Sequence, residues 1–178
     1  MLHTVVVLLA TAVLLAGSSA SAQGPAIPGY VAPGTILTGI ARIMDSDKLI
    51  VADRYLRLWA VDAPEYGQPC YLDGKPYDCN AVSYRHLEIL TAEGEVTCVV
   101  QEDASRERRG KNYAMCTASD GTVINEAMVR AGNAVVFPEQ SLEFAAAETA
   151  AAEEGVGMWR GVFQVPWIWF LENSGGGL

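Results

Sequence analysis

Histidine is nearly absent from this chain of 178 residues: two occur, and one of them, His3, lies in the apolar leader. A zinc centre built on several imidazoles is therefore excluded, and any Ser/His/Asp triad would have to use His86. His86 stands in Tyr84-Arg85-His86-Leu87-Glu88, inside an expected helix, where packing is the ordinary role of such a residue. Basic residues are scarce too, 12 against 21 acidic ones, for a formal net charge of −9. That balance opposes tight non-specific binding to nucleic acid, which draws on neutralised phosphates and released counterions. Cysteine is limited to four, with no C-x-x-C spacing, so a thiolate metal cluster has no support. No internal repeat is present. Any chemistry must come from carboxylates and arginines, and carboxylates favour a hard cation such as Ca²⁺, Mg²⁺ or Mn²⁺.

Long apolar runs are also few. One covers residues 5–16, and the Gly17-Ser18-Ser19-Ala20-Ser21-Ala22 that follows carries the small-residue pattern of export cleavage before Gln23. Residues 1–22 are thus expected to be a signal peptide, although no Lys or Arg precedes the run, which leaves an uncleaved anchor as the alternative. The run is short for a membrane span, and no second one follows. The expectation is an exported protein, periplasmic or extracellular, with no stable membrane anchoring after cleavage. Residues 23–34, rich in Gly, Pro and Ala, read as an extended leader.

Cys70, Cys79, Cys98 and Cys116 are even in number and, in an exported chain, read as two disulfides. Three connectivities are open. Cys70–Cys79 with Cys98–Cys116 is preferred, because the second pair falls on two expected neighbouring strands and the first closes a Gly/Pro-containing loop.

Alternation and turn residues predict strands over 35–44, 49–51, 55–59, 95–100 and 112–117. Helices are predicted over 81–93, with Asn80 as cap, over 124–131, and over the alanine-rich 141–154. A β-meander interrupted by one helix and followed by others gives the fold class α+β, mainly β: a five-stranded OB-type barrel with about three helices. The domain is assigned to 35–160, and 161–178 is a tail whose aromatic residues are expected to cover the barrel or the third helix.

Five segments stand in a telling order: Asp45-Ser46-Asp47; Arg57-Leu58-Trp59-Ala60-Val61-Asp62-Ala63-Pro64-Glu65; Glu107-Arg108-Arg109-Gly110-Lys111; Ile124-Asn125-Glu126-Ala127-Met128-Val129-Arg130-Ala131-Gly132; and Gly155-x-Gly-Met-Trp159. In this order and spacing the chain resembles the staphylococcal nuclease (thermonuclease) family, in its exported, disulfide-containing bacterial branch. The resemblance implies Ca²⁺-dependent phosphodiester hydrolysis of DNA or RNA. It implies Asp47, Asp62 and the backbone carbonyl of Ala63 as metal ligands, with Asp45 beside them, and Glu65 acting on the attacking water. Arg57 matches an arginine that contacts the scissile phosphate, and its planar fork can hold two oxygens.

Departures from the family pattern are specific. Its second phosphate-binding arginine falls at Lys111, which keeps the charge and loses the fork; Arg108 or Arg109 beside it are candidates for compensating phosphate contacts. Where the family uses an aromatic against a base, this chain has Arg109. Ser46 replaces a glycine, and Lys48 lies where its ammonium can compete with a cation for Asp45 or Asp47. These changes support an alternative: a catalytically weakened or inactive module of the same fold that binds protein or nucleic acid.

Overall fold

The computed structural model describes residues 29–102 and 111–173. The expected signal segment 1–22, the first part of the leader, and the candidate phosphate-binding Arg108 and Arg109 lie outside the described residues.

The stretch expected as one strand over 35–44 is two, β1 (Ile36–Gly39) and β2 (Arg42–Asp45), broken at Ile40 and Ala41. It is followed by β3 (Lys48–Val51) and β4 (Arg54–Leu58). The turn between them places Ala52 and Asp53 at φ 49° and 59°, the paired left-handed geometry whose twist suits a two-residue hairpin. Then come β5 (Val61–Asp62), a hairpin of β6 (Pro69–Leu72) and β7 (Lys75–Asp78), α1 (Cys79–Thr91), β8 (Val96–Val100) and β9 (Tyr113–Thr117). The C-terminal part holds α2 (Ile124–Arg130), β10 (Val135–Val136), α3 (Ala145–Glu154), a 3₁₀ turn (Gly157–Arg160), β11 (Val162–Phe163) and α4 (Pro166–Asn173).

The main sheet runs β1-β8-β9-β4-β3-β2, antiparallel except where β4 lies parallel to β9. Its two edge strands, β1 and β2, are joined by only two residues, so the sheet must curl on itself. This is the OB-type barrel expected from the sequence. Leu49, Leu56, Leu58, Val96 and Ala114 fill its interior, and Leu87 of α1 with Ile124, Met128 and Val129 of α2 close it. At about 25 cal/mol per Å² of apolar surface, each of these larger side chains contributes about 2 kcal/mol. Asn125 is fully buried and fully engaged: it accepts from Cys116 N at 2.9 Å and donates to Trp59 O at 2.9 Å and Ala114 O at 3.1 Å. It thereby fastens α2 to β9 and to the end of β4.

Both preferred disulfides are present. Cys98 and Cys116 face each other in register across β8 and β9, and Cys70–Cys79 links β6 to the first residue of α1. Gly132 and Gly157 allow a close backbone approach: a Cβ on Gly157 would lie 2.4 Å from the carbonyl oxygens of Ala131 and Gly132.

Two further expectations are corrected. The cap of α1 is Asp78, which accepts from Ala81 N at 2.9 Å, and Asn80 sits in the first turn instead. The third helix begins at Ala145 rather than 141, because Leu142 to Phe144 form a preceding turn. The Gly/Pro-containing loop closed by Cys70 and Cys79 is as expected, and it takes the form of a hairpin with Asp73 and Gly74 at its turn, φ 51° and 72°.

Candidate functional site

Strand register assembles the site. Lys48 lies directly opposite Arg57 across β3 and β4, and Arg57 lies opposite Tyr113 across β4 and β9. The Arg57 amide donates to Asn112 O at 2.8 Å, which brings Lys111, one residue earlier, to the same rim. Asp62 on β5 is held by pairing with Val135 on β10. Glu65 follows in a turn pinned by buried Gln68: Gln68 Oε1 accepts from Glu65 N at 3.0 Å, while Gln68 Nε2 donates to Gln164 O at 2.7 Å.

Asp47, Lys48, Arg57, Asp62, Glu65 and Lys111 therefore line one cavity of about 200 Å³. Ala63 is buried beside Asp62 and does not line it. Asp45 joins through Lys48. His86, on α1, has no place in the site; burial holds its pKa below the usual imidazole range. A second hollow of similar size, at Leu72, Tyr77, Met158 and Arg160, has no carboxylate on its walls.

The two acidic turns are locked together. Ser46 Oγ donates to Pro64 O at 2.7 Å, and Asn80 Nδ2 donates to Pro64 O at 2.7 Å, to Asp45 Oδ1 at 3.0 Å and to Ser46 Oγ at 3.2 Å. Ser46 has no positive φ, so its Cβ brings no backbone strain, and its hydroxyl makes a tie that glycine could not.

Lys48 occupies the middle of the carboxylates. Its Nζ lies 2.5 Å from Asp45 Oδ2, 3.1 Å from Asp47 Oδ1 and 3.5 Å from Glu65 Oε2, with 8% of the side chain exposed. Burial opposes its charge, but Asp47, Asp45 and Glu65 outweigh burial and raise its pKa above the ordinary lysine value. Burial raises the Asp45 carboxyl, yet hydrogen bonds from Lys48 and Asn80 bring it below its usual range. Burial pushes Glu65 up against the pull of Lys48. Asp62 is pushed up to about 8, by burial first and then by Asp47 and Glu65. Its Oδ2 and the Nε of Arg57 are buried without a hydrogen-bond partner among the described residues, which is where an incoming polar ligand or water would be accepted.

The cavity also has an aromatic wall: Tyr113, Phe137, Trp167 and Phe170 line it. Phe137 and Trp167 meet edge to face with centroids 5.4 Å apart. This wall was not assigned to the site from the sequence. Its signal was the i, i+3 spacing of Trp167 and Phe170, which puts both on one face of α4.

The family model described as Staphylococcal nuclease homologue matches residues 55–161. The chain is 32% identical over 127 residues to the succinoglycan biosynthesis protein ExoI of Rhizobium meliloti (strain 1021), a match covering 70% of the chain and 65% of that protein, a little under two thirds of its length. It is 29% identical over 137 residues to an uncharacterized endonuclease of Escherichia coli O157:H7, covering 73% of the chain and 82% of the relative. A similar endonuclease of Escherichia coli matches to the same extent.

Proposed function

From the premise that the chain belongs to the staphylococcal nuclease family, we propose that it hydrolyses phosphodiester bonds of DNA or RNA in the cavity between the acidic turns and the aromatic wall. A water oxygen bonds to phosphorus, one of its protons passes to the Glu65 carboxylate, and the ester P–O bond breaks. The departing oxygen leaves with the bonding electrons and takes a proton from solvent. Arg57 and Lys111 hold the non-bridging oxygens, where fixed cations stabilise the charge that builds up in the transition state. The aromatic wall offers stacking surface to a base and gives the nucleic acid a sequence-tolerant hold. Where Arg108 and Arg109 precede Lys111, they add contacts to flanking phosphates.

One observation carries this reading: Arg57 on β4, Asp62 on β5, Glu65 in the turn that follows and Lys111 just before β9 converge on a single cavity. Calcium is the cofactor that the family implies, with Asp47, Asp62 and the carbonyl of Ala63 as donors. Hard oxygens suit it, yet the Asp47 and Glu65 carboxylates already face the Lys48 ammonium, and a divalent cation does not fit beside that group. The hydrolytic step above uses the protein's own charges alone.

The two disulfides suit an oxidising compartment outside the cytosol, and among the described residues no helix is long and apolar enough to cross a membrane. Export through residues 1–22, to periplasm or medium, is part of the proposal, as is the division into leader, barrel domain over 35–160 and tail. A second reading, a non-catalytic module that binds nucleic acid or protein, is favoured by the contact of Lys48 with Glu65, which engages the proposed base. Hydrolysis of bis(p-nitrophenyl) phosphate and of an oligonucleotide tests between them: turnover of both supports the enzyme, whereas oligonucleotide binding without turnover supports the module.

A further inference from the structure

We propose that the Lys48 ammonium is a built-in replacement for a divalent cation, so that phosphodiester hydrolysis in this cavity needs no metal. The inference rests on the hydrolytic reading given above. Its starting point is placement: Lys48 is the first residue of β3, its side chain is 8% exposed, and its Nζ is within ion-pair distance of carboxylates from both acidic turns. A lysine this deeply buried is rare unless paired, because taking an ammonium out of water is unfavourable unless close counter-charges offset it. Asp45, Asp47 and Glu65 supply them.

The arrangement is also hard to vacate. Lys48 is fixed by strand pairing to Arg57, and the acidic turn before it is tied through Ser46 and Asn80 to Pro64. Swinging the ammonium out would leave three partly or fully buried carboxylates facing one another, a repulsion that pairing now prevents. The ammonium thus does for the carboxylates what a bound cation would do. It lines the same cavity as Arg57 and Lys111, so three fixed positive charges surround the place where a phosphoryl group would sit.

In the hydrolytic step Lys48 gives up no proton and forms no bond. The bond from water oxygen to phosphorus forms, the ester bond breaks, and the water proton goes to Glu65. Lys48 neutralises Asp47, holds the Glu65 carboxylate toward the cavity, and faces the phosphoryl oxygens as charge builds on them.

The test compares the disulfide-bonded chain with Lys48→Thr and Lys48→Gln, in chelator and in millimolar Ca²⁺. Cleavage of a quenched single-stranded oligonucleotide and melting temperature are the two readouts. The expected result is cleavage by the natural chain that chelator leaves intact and Ca²⁺ does not raise, falling about 100-fold in both variants in chelator. Lys48→Thr, freed of the ammonium, gains a Ca²⁺-dependent rise in melting temperature that the natural chain lacks. Cleavage by the natural chain that chelator abolishes and Ca²⁺ restores overturns the inference. So does a natural chain that is silent while Lys48→Thr cleaves with Ca²⁺, since Lys48 would then block the site rather than serve it. Silence of all three proteins in every condition sinks the hydrolytic reading. The melting temperatures still decide where the positive charge resides: a Ca²⁺ rise confined to the variants keeps Lys48 in the cation's place, and an equal rise in all three removes it.

Discussion

Asn80, in the first turn of α1, donates to the carbonyl of Pro64 at 2.7 Å and to Asp45 at 3.0 Å, so one buried amide joins the helix to both acidic turns of the candidate site. Asn80→Ala removes these bonds and leaves Ser46 Oγ as the donor to the Pro64 carbonyl, with Asp45 untied from the helix. The expected cost is about 1–3 kcal/mol in stability, with a larger loss of cleavage than the lower melting temperature explains, because Asp45 and Glu65 lose their relative positions. Denaturant melts and initial rates on the same preparations check this; unchanged values of both would contradict it.

Lys111 keeps the charge of a phosphate-binding arginine without its fork. Lys111→Arg is expected to raise kcat about tenfold, and Arg57→Lys to lower it about 100-fold, because a planar bidentate contact is regained in one and lost in the other. Steady-state kinetics on an oligonucleotide decide the matter. A rate that Lys111→Arg leaves unchanged would mean that charge alone suffices at that rim.

Phe170 is 48% exposed, yet it lines the cavity, so its removal disturbs the surface more than the fold. Phe170→Ala should raise KM for single-stranded DNA by about tenfold while kcat stays constant, as expected when one base loses a stacking partner. An oligonucleotide with abasic residues should show no difference between the two proteins. If it does, the aromatic wall acts on the backbone instead.

Asp62 gives stability a sign that can be measured. With its carboxyl pushed up to about 8, the folded protein retains a proton that the unfolded chain, with the ordinary aspartate value near 3.8, has released. Stability therefore falls as pH rises from the unfolded value toward the folded one, by at most about 1.4 kcal/mol per pH unit, and levels off above. Asp62→Asn cannot titrate and should lose this part of the slope when urea melts are recorded in chelator across that window. Equal slopes in the two proteins would show that Asp62 is ionised throughout.

Much of this was legible in the sequence, and the parts that were not have physical reasons. Asp47, Asp62 and Glu65 could be placed at one rim because they follow expected strands, whereas Arg57 and Lys111 were legible only through the family resemblance of the segments that hold them. The pairing of Cys98 with Cys116 follows from two adjacent alternating runs. The split of the first strand at Ile40 and Ala41 is invisible locally, since exposure alternates through Gly39 and again from Arg42; only barrel closure, with β1 on β8 and β2 on β3, demands it. The β6–β7 hairpin carried an Asp73-Gly74 turn signal, masked by Pro69 and Pro76, which lower strand propensity. α4 begins at Pro166, a favoured first helical residue, but its Trp-Ile-Trp-Phe run has β propensity, so its helix and its aromatic wall were missed. Asp78 and Asn80 are both good caps; the choice fell to Asp78 because the Asn80 amide is held by the acidic turns. The competition of Lys48 for the carboxylates was readable, whereas its contact with Glu65, 17 residues away in sequence, required the fold.

The most direct test of the whole account replaces the proposed base without changing its shape. Single-turnover cleavage of a quenched oligonucleotide is measured for the natural chain and for Glu65→Gln, matched for melting temperature and disulfide content. The account predicts cleavage by the natural chain and a loss of at least about 100-fold in Glu65→Gln, with oligonucleotide binding retained. Equal cleavage by both proteins would contradict it, because the reaction would then need no carboxylate at Glu65.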